Sequence, residues 1–341
     1  MNFLIYGAGA VGSMVGGRLL LAGHNVIFLA RSPKAEALKA RGLQILSGGD
    51  RQVLRQVRAV PDPAEAFDGA LDCVIFTVKS YDTEDAIAEM RALRIAPPPI
   101  LCLQNGVDNE TALAEAFGAN GVIAGTVTTT VTMDEPGLAV VQRERGVGLA
   151  TGSPIAPSLA EALGAAGFTV QAFDHPDSMK WSKMLVNLIG NATSAISDLA
   201  TGEVFDHPGL YALEIRSLRE CLAVMRARGV GAVNLPRLPT GWLAAGLRAL
   251  PPWALQVPLR YLLRDARGGR TPSFHADLMR GTGRSEVGWL NGAGVRHGER
   301  AGVPTPVNRL LTDTLQDILA GRVAWEEFRG KPDRLVSALE K

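Results

Sequence analysis

The sequence predicts an α/β protein, with a doubly wound parallel sheet over residues 1–174 and an all-α domain over residues 175–341. Three observations carry that prediction. A glycine triplet, Gly7-x-Gly9-x-x-Gly12, directly follows a short apolar run and opens a helical pattern. Through the first half, β-like runs alternate with helical ones, the order that builds a parallel sheet covered by helices. Beyond Asp174-His175-Pro176 the β-like runs stop and long helical patterns take over.

Each element follows in turn. Phe3–Tyr6 reads as a strand and Ala10–Leu21 as a helix; Asn25–Leu29 is the second strand and Ala35–Ala40 the second helix. Cys73–Val78 and Ile100–Gln104 read as strands, followed by helices over Thr83–Leu93 and Glu110–Phe117. Gly121–Met133 and Leu138–Ala150 are β-rich, and Asp134-Glu135-Pro136-Gly137 between them is a turn signal. They predict a hairpin-like extension of the same sheet. The domain boundary is expected between Ala172 and Pro176. Helices are then expected over Ser178–Ser194, Leu210–Arg228, Glu286–Ala301 and Pro306–Ala320. Pro236–Arg270 stands apart, with Trp242, Trp253 and many leucines; it reads as short helices broken at Pro251-Pro252 and Pro258. It serves either as extra packing or as a lid or contact between copies.

Composition excludes several classes. Lys plus Arg is 35 and Asp plus Glu 34, so no broad cationic field exists for nucleic acid. Three cysteines, Cys73, Cys102 and Cys221, form no disulfide framework, and a reducing cytoplasm fits. The scattered histidines make no metal-ligand pattern. No run of ~18 apolar residues predicts a membrane span.

The glycine triplet has a mechanism in its setting. Gly7 permits a tight turn, Gly9 lets the backbone approach a pyrophosphate, and Gly12 lets helix and strand pack closely. With Ala8, Ala10 and Val11 these residues offer free N–H donors and the positive end of a helix dipole. The end of the second strand chooses the coenzyme. An NAD site wants an acid there for the ribose 2′-hydroxyl. This strand runs into Ala30-Arg31-Ser32 instead, and a guanidinium at Arg31 suits a 2′-phosphate. The reading is NADP(H). Lys79 and Asn105 follow the next two strands, at the carboxyl edge where ligands bind.

The segment Lys180–Ser194 carries a narrow polar stripe. At ~100° per residue, placing Lys183 at ~0° puts Asn187 near ~40°, Asn191 near ~80° and Ser194 near ~20°. The rest of the wheel is mostly apolar, so burial forces these groups to find polar partners. Downstream, Ser273 and Asp277 are spaced i and i+4 on one helical face. Glu286 opens a further helix, where its charge answers the dipole.

Together these residues resemble the ketopantoate reductase (2-dehydropantoate 2-reductase) family. The resemblance rests on GAGAVG at residues 7–12, Lys79, Gln104-Asn105-Gly106, the Trp-x-Lys-x-x-x-Asn-x-x-x-Asn run, Pro-Ser-x-x-x-Asp, and Glu286 before Asn291-Gly292. It covers nearly the whole chain. It implies a Rossmann domain, a helical domain and a cleft between them, and NADPH-dependent reduction of a 2-oxo acid to a 2-hydroxy acid, foremost 2-dehydropantoate to pantoate. By resemblance, Lys183 is the proton donor, and Asn187, Asn191 and Ser273 bind substrate. Asn105 touches both coenzyme and substrate. Lys79 and Glu286 face the coenzyme, Glu286 also orients the substrate hydroxyl, and the Val131 backbone lies beside the nicotinamide. The chain departs from the family in the long Pro236–Arg270 segment, in Thr201 where some members have asparagine, and in Gln142–Arg145 where a histidine-containing strand is common. These departures leave open a larger or more apolar 2-oxo acid, or opine-type chemistry. An NADPH-binding sensor is the non-enzymatic alternative. A homodimer is open from the apolar look of the long segment.

Overall fold

The computed structural model describes residues 1–257, 259 and 272–339. The chain divides into two compact units. One comprises Met1–Lys180 with Leu235–Leu238, and the other Trp181–Asn234 with Pro239–Lys341.

In the first unit, β1 (Asn2–Tyr6), β2 (Asn25–Leu29), β5 (Arg58–Val60), β6 (Cys73–Phe76), β7 (Ile100–Cys102), β8 (Val122–Val127), β11 (Val147–Ala150) and β12 (Val170–Phe173) form one sheet. Its order is β12-β11-β8-β7-β6-β1-β2-β5, and every pairing is parallel except β11 with β8. The central strands are apolar along their length: Phe3, Leu4, Ile5 and Tyr6 are all buried, as are Cys73 through Phe76. A strand covered on both faces needs such a run rather than alternation. Helices α1 (Ala10–Leu21), α2 (Ser32–Arg41), α3 (Pro63–Ala66), α4 (Thr83–Ala92), α5 (Asn109–Phe117) and α6 (Ala156–Ala165) connect the strands. Leu4, Ile27, Val74, Phe76 and Met90 pack together in the core of this unit. Each such side chain contributes roughly 1.5–3 kcal/mol when fully buried.

The hairpin-like extension is more elaborate than expected. β8 and β11 lie in the main sheet, but β9 (Thr130–Thr132) and β10 (Leu138–Arg143) leave it. They join β3 (Leu43–Ser47) and β4 (Asp50–Leu54) in a second sheet of order β4-β3-β10-β9. The physical cause is a parallel pairing of β10 with β3, which draws the hairpin away. Leu43 and Ile45 are buried between more exposed neighbours, and Gly48-Gly49 turns the chain into β4. That alternation and glycine pair are a hairpin signal.

Among its described residues, the regular elements of the second unit are all helices. Helix α7 (Pro176–Leu188) begins in the first unit and continues into this one. Its first turn carries Pro176 and Asp177, which suit a helix start. Then come α8 (Ala192–Ser197), α9 (Thr201–Asp206), the 20-residue α10 (Pro208–Ala227) and α11 (Thr240–Ala249). Ser273–Met279, Asn291–Ala301, Pro306–Leu319 and Pro332–Ala338 complete the helices that position the site. Trp181, Phe205, Leu218, Met225 and Leu315 are among its buried side chains.

Two expected helices are broken. Glu286–Trp289 is a separate 3₁₀ turn before Asn291–Ala301, with Leu290 at φ −110 and ψ −84 between them. The run Ser178–Ser194 ends as a helix at Leu188, and Gly190 takes φ +56, a conformation glycine adopts without penalty. The buried Glu214 of α10 explains this second break. Its carboxylate accepts the Gly190 N–H at 2.7 Å and the Thr193 hydroxyl at 2.6 Å, pulling the backbone off the helical path. In the long segment, residues 252–257 are helical after a break at Pro251. The expected break at Pro258, with Arg260 and Arg264, lies outside the described residues.

Candidate active site

The glycine turn leaves its backbone open at the start of α1. Gly7 adopts φ +104, and the Thr77 hydroxyl donates to its carbonyl at 2.7 Å. Gly7 and Ala8 donate their N–H groups to Leu29 O at 3.1 and 3.2 Å, tying the turn to β2. A Cβ on Gly12 would lie 2.8 Å from the Ile5 side chain and press on the Gly7 carbonyl, so α1 can approach β1 only with glycine there. A Cβ on Gly9 would meet open space. Gly9 caps α1 without a side chain, and the first amides of a helix, here Ala10, Val11 and Gly12, have no acceptor within it. An open backbone beneath uncapped, dipole-assisted N–H groups fits a dinucleotide pyrophosphate.

The neighbouring strand ends carry charge. Arg31 caps α2 at the end of β2; its side chain is 80% exposed, and Nη2 lies 3.0 Å from Asp82 Oδ2. Lys79, half-buried, precedes the 3₁₀ turn Ser80–Asp82 that follows β6. That turn is stitched to the loop after β7: Ser80 Oγ donates to Asn105 O at 3.1 Å, and Asn109 Nδ2 donates to the same carbonyl at 2.7 Å. Lys79 and Asn105 thus sit on loops fixed to each other.

Beneath that loop lies a buried cation that the sequence reading gave no role. Lys180 Nζ donates to Gln104 O at 2.6 Å and to Gly125 O at 3.3 Å, and lies 2.7 Å from Glu110 Oε1. Burial works against its charge, but the Glu110 carboxylate more than offsets that, and the ammonium titrates above its ordinary value. Burial pushes the adjacent Cys102 thiol well up, so it stays protonated and is no nucleophile.

In the second unit, Lys183 and Asn187 stand i and i+4 on α7, both half-buried. Asn191 does not continue their helix. It lies beyond the Gly190 break and caps α8. Its side chain is buried and engaged on every side: Nδ2 donates to Asn187 O and to Ser273 Oγ, each at 3.1 Å, and Oδ1 accepts the Phe274 N–H at 3.1 Å. The structure therefore brings Asn187, Asn191 and Ser273 together, although the single-helix stripe that suggested them is interrupted. Ser194, expected on that stripe, is buried within α8, and its hydroxyl has no partner among the described residues. Glu286 is 4% exposed at the start of its 3₁₀ turn. Ser273 is exposed at the start of its helix, which a second contact secures: His275 Nε2 lies 2.5 Å from Asp198 Oδ1.

Val131 lies in β9 of the small sheet, opposite Val141 of β10. Thr201 is buried at the start of α9, and Arg145 donates to Thr128 O at 3.2 Å in the buried loop. A cleft of about 740 Å³ opens at the other edge of the main sheet, lined by Asn2, Asn25, Lys39, Arg55 and Arg58, and holds none of the expected site residues. No group of His, Cys, Asp and Glu able to hold a metal occurs among the described residues. No described helix is long and apolar enough to cross a membrane.

Comparison with known proteins covers both units. Residues 3–152 match the family described as ketopantoate reductase PanE/ApbA, and residues 177–319 match the C-terminal part of the same family. The chain is 31% identical to a 2-dehydropantoate 2-reductase of Archaeoglobus fulgidus, over 93% of this chain and 97% of that one. It is 27% identical to the 2-dehydropantoate 2-reductase of Pyrococcus horikoshii, over 91% and 95%. A crystal structure of a PanE/ApbA family ketopantoate reductase from Ralstonia eutropha JMP134 superposes with a TM-score of 0.81 at 30% identity, over 94% of this chain and 99% of that one.

Proposed function

Because the chain belongs to the ketopantoate reductase family, we propose that it reduces 2-dehydropantoate to pantoate with NADPH. What carries this reading is the match across both units, together with a built polar cluster at the positions the family uses. The Asn191 amide donates to the Asn187 main-chain carbonyl and to Ser273 Oγ, with Lys183 one helical turn before Asn187.

The amides of Ala10 and Val11 would hold the pyrophosphate, and Arg31 the 2′-phosphate, as a guanidinium fork suits that group. Reduced nicotinamide supplies the hydride when bound. The Lys183 ammonium stabilises the charge that grows on the ketone oxygen and gives that oxygen its proton, leaving a neutral amine that solvent reprotonates. Asn187 and Ser273 hold the carboxylate and hydroxyl of the substrate, and Asn191, its amide taken up by protein partners, positions Ser273. Asn105 contacts coenzyme and substrate, and the buried Glu286 accepts the hydrogen bond that orients the substrate hydroxyl. Lys79 and the Val131 backbone complete the coenzyme side.

The test is NADPH oxidation against 2-dehydropantoate and a panel of bulkier or more apolar 2-oxo acids. Turnover fastest on 2-dehydropantoate supports the reading; turnover only on bulkier acids moves the substrate, and tight NADPH binding without oxidation of any of them rejects the enzyme. Two finer readings accompany it. Three buried cysteines without a disulfide support a cytoplasmic location. The indoles of Trp242 and Trp253, 76% and 78% exposed, support pairing of two copies. Sedimentation should then show a concentration-dependent dimer that replacing both tryptophans with serine disperses.

A further inference from the structure

The second strand ends without the acid that an NAD site uses, yet an acid stands beside it in space. Asp82 reaches Arg31 from the turn after β6, with Oδ2 3.0 Å from Nη2. In the sheet order β6-β1-β2, the ends of β6 and β2 flank the end of β1, where the glycine turn begins. The adenosine ribose of a bound dinucleotide belongs at that edge. Asp82 is also firmly based. Its N–H donates to Lys79 O at 2.8 Å, and the adjoining Ser80 is held by Asn105 and Asn109.

We propose that Arg31 and Asp82 read the ribose 2′-position together, so that the protein accepts NADH as well as NADPH, with Asp82 setting the ratio. This rests on the reading that the chain binds a nicotinamide dinucleotide. The chemistry is opposed on the two sides of the pair. A 2′-phosphate gains the Arg31 guanidinium but meets the Asp82 charge, and must share or displace it. A 2′-hydroxyl donates to the Asp82 carboxylate while Arg31 stays paired. Each coenzyme finds one partner and one cost, and discrimination is muted. A chain with Arg31 alone would reject NADH far more strongly.

Binding of NADPH and NADH to the full chain, read by nicotinamide fluorescence, tests this. The unmodified protein should bind both, with Kd values within about tenfold, the effect of roughly one charged hydrogen bond. Asp82→Asn removes the charge and should shift the preference toward NADPH by about tenfold, tightening NADPH and weakening NADH. Asp82→Glu keeps the charge and should stay near the original ratio, and Arg31→Ala should shift it toward NADH. Thermal melting of each variant separates loss of fold from loss of binding. If NADPH binds and weakens in Arg31→Ala while Asp82→Asn leaves the ratio unchanged, the role of Asp82 is overturned and the coenzyme reading stands. NADPH and NADH both failing to bind the unmodified chain would overturn both.

Discussion

Lys183 is the residue on which the proposed chemistry turns. It shares a face of α7 with Asn187, one turn on. A positioned proton donor is worth ~10²–10⁴-fold in rate. Lys183→Ala should lower kcat by that factor with NADPH affinity nearly unchanged; a variant that turns over normally but loses NADPH would place the lysine in coenzyme binding instead. The spacing of Lys183 and Asn187 was legible in the sequence, because short spacings on one helix or one turn fix which side chains are neighbours. The glycine turn at residues 7–12 was legible for the same reason. Asp82 and Lys180 were not. Their partners, Arg31 and Glu110, lie on other elements and meet them only when the sheet forms. Glu214 was missed likewise, although it explains why Asn191 leaves the line of α7.

At the scale of elements, the helix Ser273–Met279 has seven residues, too few to stand alone in water. Asn191 holds its first turn, and the contact between Asp198 and His275 holds its middle. Asp198 also accepts from Arg329 Nε at 2.7 Å. Partial burial raises its pKa, but His275 and Arg329 together pull it net below the ordinary value. Its folded pKa is therefore depressed, so this clamp is fully formed above about pH 3.9 and is lost as pH falls through the lower folded value. Asp198→Ala should speed amide hydrogen exchange in residues 273–279 and raise KM for the oxo acid more than it lowers kcat. Unchanged exchange there would show that Asn191 suffices. The identities of β1, β2, β6 and β7 and of α1, α2, α4 and α5 were readable from periodicity. The second sheet was not, since the pairing of β10 with β3 joins distant stretches that carry no mark of each other.

For the molecule as a whole, Lys180 is the buried charge on which pH should act. Its folded pKa is raised, so its contribution is complete below about pH 10.4, the ordinary lysine value, and disappears as pH climbs through the higher folded one. Melting temperature should fall in that alkaline window. Lys180→Met leaves Glu110 without its counter-charge and should cost roughly 3–5 kcal/mol at neutral pH. Its melting point should then vary less across the alkaline range; an equal alkaline fall in both proteins would assign the effect to other groups. The change from mixed strands and helices to helices alone was foreseen from the change of pattern near Pro176.

The four residues Leu235–Leu238 belong to the first unit although helices of the second precede and follow them. Thr128 donates its hydroxyl to Pro236 O at 3.0 Å, and Gly146 has room only for hydrogen where Pro236 packs. A gene shortened to its first 180 codons would accordingly encode an unfinished piece. On the ribosome, the nucleotide-binding part must wait for some sixty further residues to emerge before its last fragment arrives, and a truncation meant to isolate it should carry that peptide in trans or by fusion.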